Sequence, residues 1–368
     1  MSRLNAIIIE EILRHGPMPF ARYMQLALYA PGVGYYTSGT QKFGVDGDFV
    51  TAPELSPLFS QCIARQCEQV LRPLKQSVIL EFGAGSGVMA VDVMLALEAI
   101  DCLPENYLIL ELSAELKERQ RTAFSTHAPH LLSRVSWLDR LPDKKIEGVI
   151  LANEVLDAMP IHKFLVQNGL QEYHVDYQGE KYTWKMQAAS SVLKKSINAL
   201  DIDFSDGYES EINLALPGWL ASLSDVLECG LVLLLDYGFP RHEYYHSDRH
   251  MGTIMCHHQH RSHSDPLVLT GQQDITAHVD FTAVAEAAVD HGFDVSGYTN
   301  QAAFLMGCGI TDLLDNISDD VARFNAANQV KQLTLPSEMG ELFKVIALTK
   351  NYDDDLLGFQ LLDMLERL

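Results

Sequence analysis

Apolar and polar positions follow different rhythms in different parts of this chain. From about residue 76, short apolar runs that end on an acid or a turn alternate with stretches of helical composition. Residues 78–82, 107–111, 134–138, 148–153 and 231–236 are the candidate strands. Runs this short and this apolar suit strands buried on both faces of a parallel sheet. Strand and helix in alternation predict an α/β fold with a doubly wound, mostly parallel sheet. After Asn153 the rhythm becomes an alternation of polar with apolar. Residues 163–166, 171–177 and 181–186 are split by Asn168-Gly169 and Gln178-Gly179, as in a hairpin or meander inserted into the sheet. A helix over residues 218–227 leads back to the core. Later come a helix at 281–291, a strand at 293–298, a helical stretch at 299–332 and a strand at 343–348.

The N-terminal stretch differs again. Residues 2–14 have an amphipathic helical pattern that stops at Gly16-Pro17, and another helix is expected from about Pro57. Between them lies a loop rich in aromatic residues and turn formers, of the kind that often carries function. The expected organisation is a covering segment at 1–75, a core at 76–160 and 228–368, and an insertion at 161–227.

The first strand carries the most pointed chemistry. It runs into Glu81-Phe82-Gly83-Ala84-Gly85-Ser86-Gly87, with a helix expected from Val88. Glycines there let the backbone turn sharply and approach a ligand closely. A dinucleotide loop reads G-x-G-x-x-G, with pyrophosphate on the helix N-terminus. Here the spacing is G-x-G-x-G with Glu81 ahead of it, which resembles the first motif of Rossmann-like methyltransferases, whose cofactor carries an ammonium group and no phosphate. Glu111 ends the next strand, where a carboxylate can bind ribose hydroxyls. Asp139 follows the third strand and is either an adenine contact or a plain loop aspartate. Glu154 ends the fourth strand. Asp157 follows at a spacing that one helical turn would place on the same side, and the pair could hold a cationic nucleophile or simply favour a helix dipole. Asp236-Tyr237-Gly238 closes the fifth strand at the same crevice.

Composition narrows the class. The 368 residues include 27 basic and 49 acidic side chains, a net charge of -22, with 47% hydrophobic and 21% charged residues. That balance argues against a protein that tracks a nucleic-acid backbone and suits a cationic partner. Six scattered cysteines point to reduced thiols. No apolar run is long enough to span a bilayer, and the N-terminus has no secretory pattern, so a cytoplasmic protein is expected. Seven of the 14 histidines lie between His242 and His263. Their spacing does not suit a structural zinc site, so no metal is expected, and a mobile loop over the active site is.

Taken together these motifs resemble the MidA-type family of S-adenosylmethionine (SAM)-dependent methyltransferases. The likeness runs through Tyr23-Met24, Leu28 to Pro31, Gly34 to Tyr36, Gly47 to Phe49, Thr51 to Glu54 and Glu81 to Gly87. It continues through Glu111 with Ser113 and Gln120, Asn153-Glu154 with Asp157-Ala158 and Pro160, Asp236 to Gly238, Gly252-Thr253, and Gly271 with Asp274 to Phe281. Residue 257 departs from the aromatic expected near Gly252-Thr253. The resemblance implies a Rossmann-like fold that binds SAM through Gly83, Gly85 and Gly87. It puts Glu111 on the ribose and Glu81, Asn153 and Asp139 among the further cofactor contacts. It implies transfer to an arginine of a protein substrate, since mitochondrial members methylate a complex I subunit. Glu154, Asp157 and Asp236 are the catalytic candidates, and residues near Asp48, Thr51 and Glu54 would close over the site. A small-molecule methyltransferase, or a SAM-binding assembly factor without turnover, are the alternatives. The sequence leaves the oligomeric state open, a homodimer being one option.

Overall fold

In the computed structural model, residues 2–38 and 51–368 are described. Seven strands form the central sheet: β1 (Ser77–Phe82), β2 (Asn106–Leu110), β3 (Val135–Leu138), β4 (Ile146–Asn153), β5 (Leu227–Phe239), β6 (Asp294–Asn300) and β7 (Phe343–Lys350). Their spatial order is β6-β7-β5-β4-β1-β2-β3, and the two-residue strand Val279–Asp280 pairs with the end of β5. Neighbours from β3 to β5 run parallel, whereas β7 is antiparallel to both β5 and β6. The strand order reverses at β1, and the crevice there is where ligands bind in open α/β sheets.

Alternation along the strands explains the layering. Ile79, Val149, Leu151, Leu231, Leu233 and Leu235 face helices Pro57–Leu71, Val88–Ala99 and Asp320–Thr334. Leu80, Phe82, Ile150, Ala152, Val232 and Leu234 face Leu216–Val226 and Phe281–Asp290. Successive side chains of a strand point to opposite faces, so a sheet covered on both sides needs an unbroken apolar run.

The insertion after β4 builds a second, antiparallel sheet from His162–Val166, Leu170–Gln178, Lys181–Ala188 and Tyr208–Ile212. Met18–Pro19 of the N-terminal segment adds to its edge, opposite Val175 and His174. The helix Phe20–Tyr29 then packs Phe20, Tyr23 and Met24 into a third core, with Val175, Cys256, Ile275 and Ala277. Residues far apart in sequence thus build one lid on the carboxyl end of the sheet.

The helical stretch expected at 299–332 is made of three helices, Gln301–Gly307, Ile310–Asp315 and Asp320–Thr334. Gly309, at φ 77°, turns the chain between the first two. The histidine-rich segment is not a mobile loop. It forms the short helix Arg241–Tyr244 and a three-stranded sheet of Arg261–His263, Met255–His258 and Asp274–Thr276. Cys256 is buried in the N-terminal core, while His257 faces the site.

Strands approach closely at Gly148 in β4. Its φ is 144°, and a Cβ there would lie 2.0 Å from the Val78 carbonyl oxygen. Gly148→Ala is therefore expected to destabilise the protein by about 3 kcal/mol or more, since strain and overpacking add. Urea unfolding of the variant and its parent measures this; a loss below about 1 kcal/mol would show that the strands can part.

Candidate active site

Register sets the rim of the cavity. Phe82 lies beside Leu110 and Ala152, so β1, β2 and β4 end nearly level, while β5, whose Leu235 lies beside Asn153, runs on to Phe239. Each then delivers polar groups to a cavity of about 590 Å³, within the size range of cofactor sites.

On the β1 side, Gly83, Gly85 and Gly87 all have positive φ, at 64°, 51° and 87°. Gly87 is the N-cap of the helix Val88–Ala99 and can offer no side-chain cap; the Val88 N–H donates to Ser86 Oγ at 3.4 Å. A Cβ on Gly87 would meet Gln120 at 3.1 Å. Gln120 is the organiser here: Nε2 donates to the Gly85 carbonyl at 3.0 Å and to Glu111 Oε2 at 3.2 Å, while Oε1 accepts from Trp137 at 2.9 Å. The Ser113 N–H holds the other oxygen of Glu111 at 2.8 Å. Glu81 is buried and accepts from the Tyr107 hydroxyl at 2.8 Å; burial pushes its carboxyl up to about 8. Glu111 is also raised, by burial first, against its N–H donors. This cradle of turned backbone and fixed carboxylates fits an adenosyl ligand with an ammonium group: the glycines leave room, and the acids supply acceptors for hydroxyls and charge.

On the β4 side no helical turn joins Glu154 to Asp157. Glu154 itself takes a left-handed conformation, φ 53°, unusual for a residue with a side chain. Its N–H stays on the sheet, bonded to the Leu235 carbonyl at 2.9 Å. The next three N–H groups, of Val155, Leu156 and Asp157, converge on Asp236 Oδ2 at 3.2, 2.9 and 3.2 Å. The pair therefore shares the cavity wall through a nest of backbone donors around a carboxylate. Asp236 is the correction that follows: Oδ2 holds this loop, Oδ1 accepts from the Tyr237 N–H at 2.9 Å, and the residue is absent from the cavity wall.

Both acids are perturbed. Burial, then the Asp157 charge, pushes Glu154 up to about 8, against hydrogen bonds from Asn153 and Ala52. Burial pushes Asp157 to about 6, against the Tyr237 hydroxyl that donates to its Oδ2 at 2.6 Å. Among the described residues Asp157 Oδ1 is buried without a hydrogen-bond partner.

Asp139 is a second correction. It lies on the surface, 84% exposed and ion-paired with Lys117, outside the cavity wall. The residues that sequence reasoning left without a role close the opposite side. Tyr29 and Tyr36 stack with centroids 5.5 Å apart, and Tyr36 donates to Asp274 at 2.8 Å. Tyr237, Thr276 and His278 complete that wall. All fall within the family-like motifs quoted above, which was the only signal available for them. Thr51 and Glu54 do line the cavity, and Ser86 donates to Glu54. Asp48 lies outside the described residues. Among the described residues no three His, Cys, Asp or Glu side chains are grouped to hold a metal, and no helix is long and apolar enough to cross a membrane.

A family profile described as S-adenosyl-L-methionine-dependent methyltransferase matches residues 62–299. The chain belongs to this family. A solved structure from Burkholderia thailandensis, crystallised with S-adenosyl-homocysteine, is 44% identical, with a TM-score of 0.95 over 99% of this chain and 96% of that one. Among curated proteins, the mitochondrial protein arginine methyltransferase NDUFAF7 homolog of Drosophila melanogaster is 27% identical, over 92% of this chain and 83% of its own. Human NDUFAF7, named likewise, is 26% identical over 93% and 82%. SAM is thus the cofactor of this methyltransferase. The expectation of a cytoplasmic protein does not stand, because these relatives are named as mitochondrial.

The raised acids give a test of the site's electrostatics. A carboxyl whose folded pKa is raised stabilises the fold fully below its unfolded pKa, and that stability is lost as pH climbs through the folded value. For Glu154 the window runs from 4.5 to about 8. Without cofactor, Glu154→Gln is expected to melt with its parent near about pH 5 and several degrees above it near about pH 8.5. Thermal unfolding at the two pH values checks this, and an equal difference at both would remove the buried charge from the account.

Proposed function

We propose that this methyltransferase modifies an arginine side chain of a protein. The observation that carries the reading is the charge of the cavity wall. Glu54, Glu81, Glu111, Glu154, Asp157 and Asp274 line it, and among the described residues no lysine or arginine does. Such a wall favours a cationic acceptor over an anionic one. The names of the fly and human relatives support arginine in particular.

In this reading Gly83, Gly85 and Gly87 cradle the cofactor, with Glu111 on the ribose and Glu81 and Asn153 nearby. Bound SAM supplies a sulfonium methyl as electrophile. Residues 76–160 and 228–368 carry it, residues 1–75 close one side, and the 161–227 insertion braces the lid. A guanidinium stays charged at any ordinary pH, and its nitrogens are poor nucleophiles because their lone pairs are delocalised. Glu154 and Asp157 gain by ionising against it, and the loop that Asp236 holds fixes their positions. Hydrogen bonding to Asp157 draws charge onto the attacking nitrogen and orients it, which is positioning more than acid–base power. As the nitrogen–carbon bond forms and the sulfur–carbon bond breaks, Asp157 Oδ1 takes the proton that the guanidinium gives up. Acceptor binding is accordingly linked to proton release and strengthens as pH rises through the range in which these acids ionise.

The test is methyl transfer from labelled SAM into a lysate of cells that lack the protein. A discrete labelled protein carrying methylarginine by mass spectrometry is expected; label confined to small molecules would transfer the reading to a metabolite acceptor. With an arginine peptide identified in this way, Glu154→Gln is expected to lose about 100-fold or more in kcat/KM while SAM binding changes less than about threefold. Full activity in that variant would remove the role given to Glu154.

A further inference from the structure

Tyr237 stands between two buried acceptor atoms that have no partner among the described residues, Asp157 Oδ1 and His278 Nδ1. Its hydroxyl bonds Asp157, and its ring meets the His278 ring edge-on at 5.1 Å and 83°. Buried polar atoms without partners are rare enough that each calls for an explanation. Asp157 and His278 both line one cavity, and a wall with two such polar side chains suits a ligand with more than one N–H to give.

The surroundings of His278 keep it suited to accept. Phe239 stacks on its outer face at 5.2 Å and 20°. The Arg249 guanidinium lies 3.8 Å from the centre of the Phe239 ring, and Lys344 Nζ lies 5.6 Å from it. The other charges on this side are engaged. Arg249 donates to the Glu243 carbonyl, Glu243 pairs with Arg367, and Asp280 pairs with Arg241. Burial pushes the imidazole down to about 4, against a backbone hydrogen bond at Thr253, with Arg249 and Lys344 adding to the burial. In a cavity walled by acids a histidine would ordinarily gain a proton. Here burial prevents it, with Arg249 and Lys344 adding to the effect. The backbone is fixed as well: the His278 N–H donates to Thr253 Oγ1 at 3.1 Å, and Thr253 is bonded to the buried Glu211 of the inserted sheet.

We propose that His278 is an acceptor-binding residue that receives one guanidinium N–H through its uncharged ring while Asp157 receives another. The proposal rests on the arginine reading above and deepens it. A planar fork of five donors can satisfy a carboxylate and an imidazole at once. The ammonium of a lysine is a compact charge on a flexible stem, without the rigid donor fork of a guanidinium. His278 thereby contributes to choosing arginine over lysine, and a second positive charge at its position would repel the acceptor.

His278→Phe keeps the stacked column and deletes the lone pair; His278→Asn returns an acceptor oxygen. With an arginine peptide as substrate, the Phe variant is expected to raise KM for the peptide by about 10-fold or more, since bonds to charged groups are the stronger kind. Its kcat is expected to change less, and its affinity for SAM to stay within about twofold. The Asn variant is expected to recover part of the loss. Parental peptide KM in the Phe variant, or a loss matched by equal loss of SAM affinity, would overturn the proposal. So would failure of both variants to differ from each other, with circular dichroism melts confirming that each is folded. Turnover of the parent on arginine peptides judges the underlying reading separately, whatever the variants do.

Discussion

Three backbone N–H groups held on one buried carboxylate organise this site. Asp236 lies in β5, and by accepting from Val155, Leu156 and Asp157 it ties the loop after β4 to the neighbouring strand. Those donors would otherwise be orphaned at the end of a strand, and a buried orphan costs about 1–3 kcal/mol. The carboxylate that satisfies them also dictates where the chain goes next. With Glu154 turned into the left-handed region and Asp157 brought round behind it, both side chains reach the cavity. Remove that anchor and the acids lose their common wall.

The arrangement is costly to the folded state and useful to the reaction. Burial raises Glu81, Glu154 and Asp157 well above ordinary carboxylates. Like charges close together in a dry cavity destabilise the protein until a cation arrives to neutralise them. That stored electrostatic cost is what makes the pocket selective, because only a positively charged ligand relieves it. Burial likewise keeps the His278 ring beside Tyr237 uncharged, with Arg249 and Lys344 adding to it.

Much of the framework could be read before any coordinates. The apolar runs at 78–82 and 148–153 lie within the strands observed, the run at 107–111 overshoots its strand by one residue, and the helix expected at Val88 begins there. These are segments whose local pattern and tertiary environment agree, as buried strands of a two-sided sheet must. Glu81, Gly83, Gly85, Glu111, Asn153, Glu154 and Asp157 all line the cavity. The misreadings share a cause. Asp139 and Asp236 have the same strand-end signature as Glu111 and Glu154, yet one faces solvent beside Lys117 and the other turns inward onto backbone. Strand-end position tells which rim a residue occupies, not which way its side chain points.

The sequence by itself determined the class of fold, the cofactor loop and the acidic character of the site. These depend on local periodicity, on glycine's freedom at positive φ and on net composition, and each is a property of short segments. Only the tertiary structure decided which acids share the cavity, that the N-terminal segment adds a strand to the inserted sheet, and that His278 meets Tyr237 and Phe239. Those outcomes depend on contacts between residues tens to hundreds of positions apart, such as Met18 with Val175 or Asp157 with Tyr237. Such contacts exist only after chain entropy has been surrendered to the whole fold, so no window of sequence contains them.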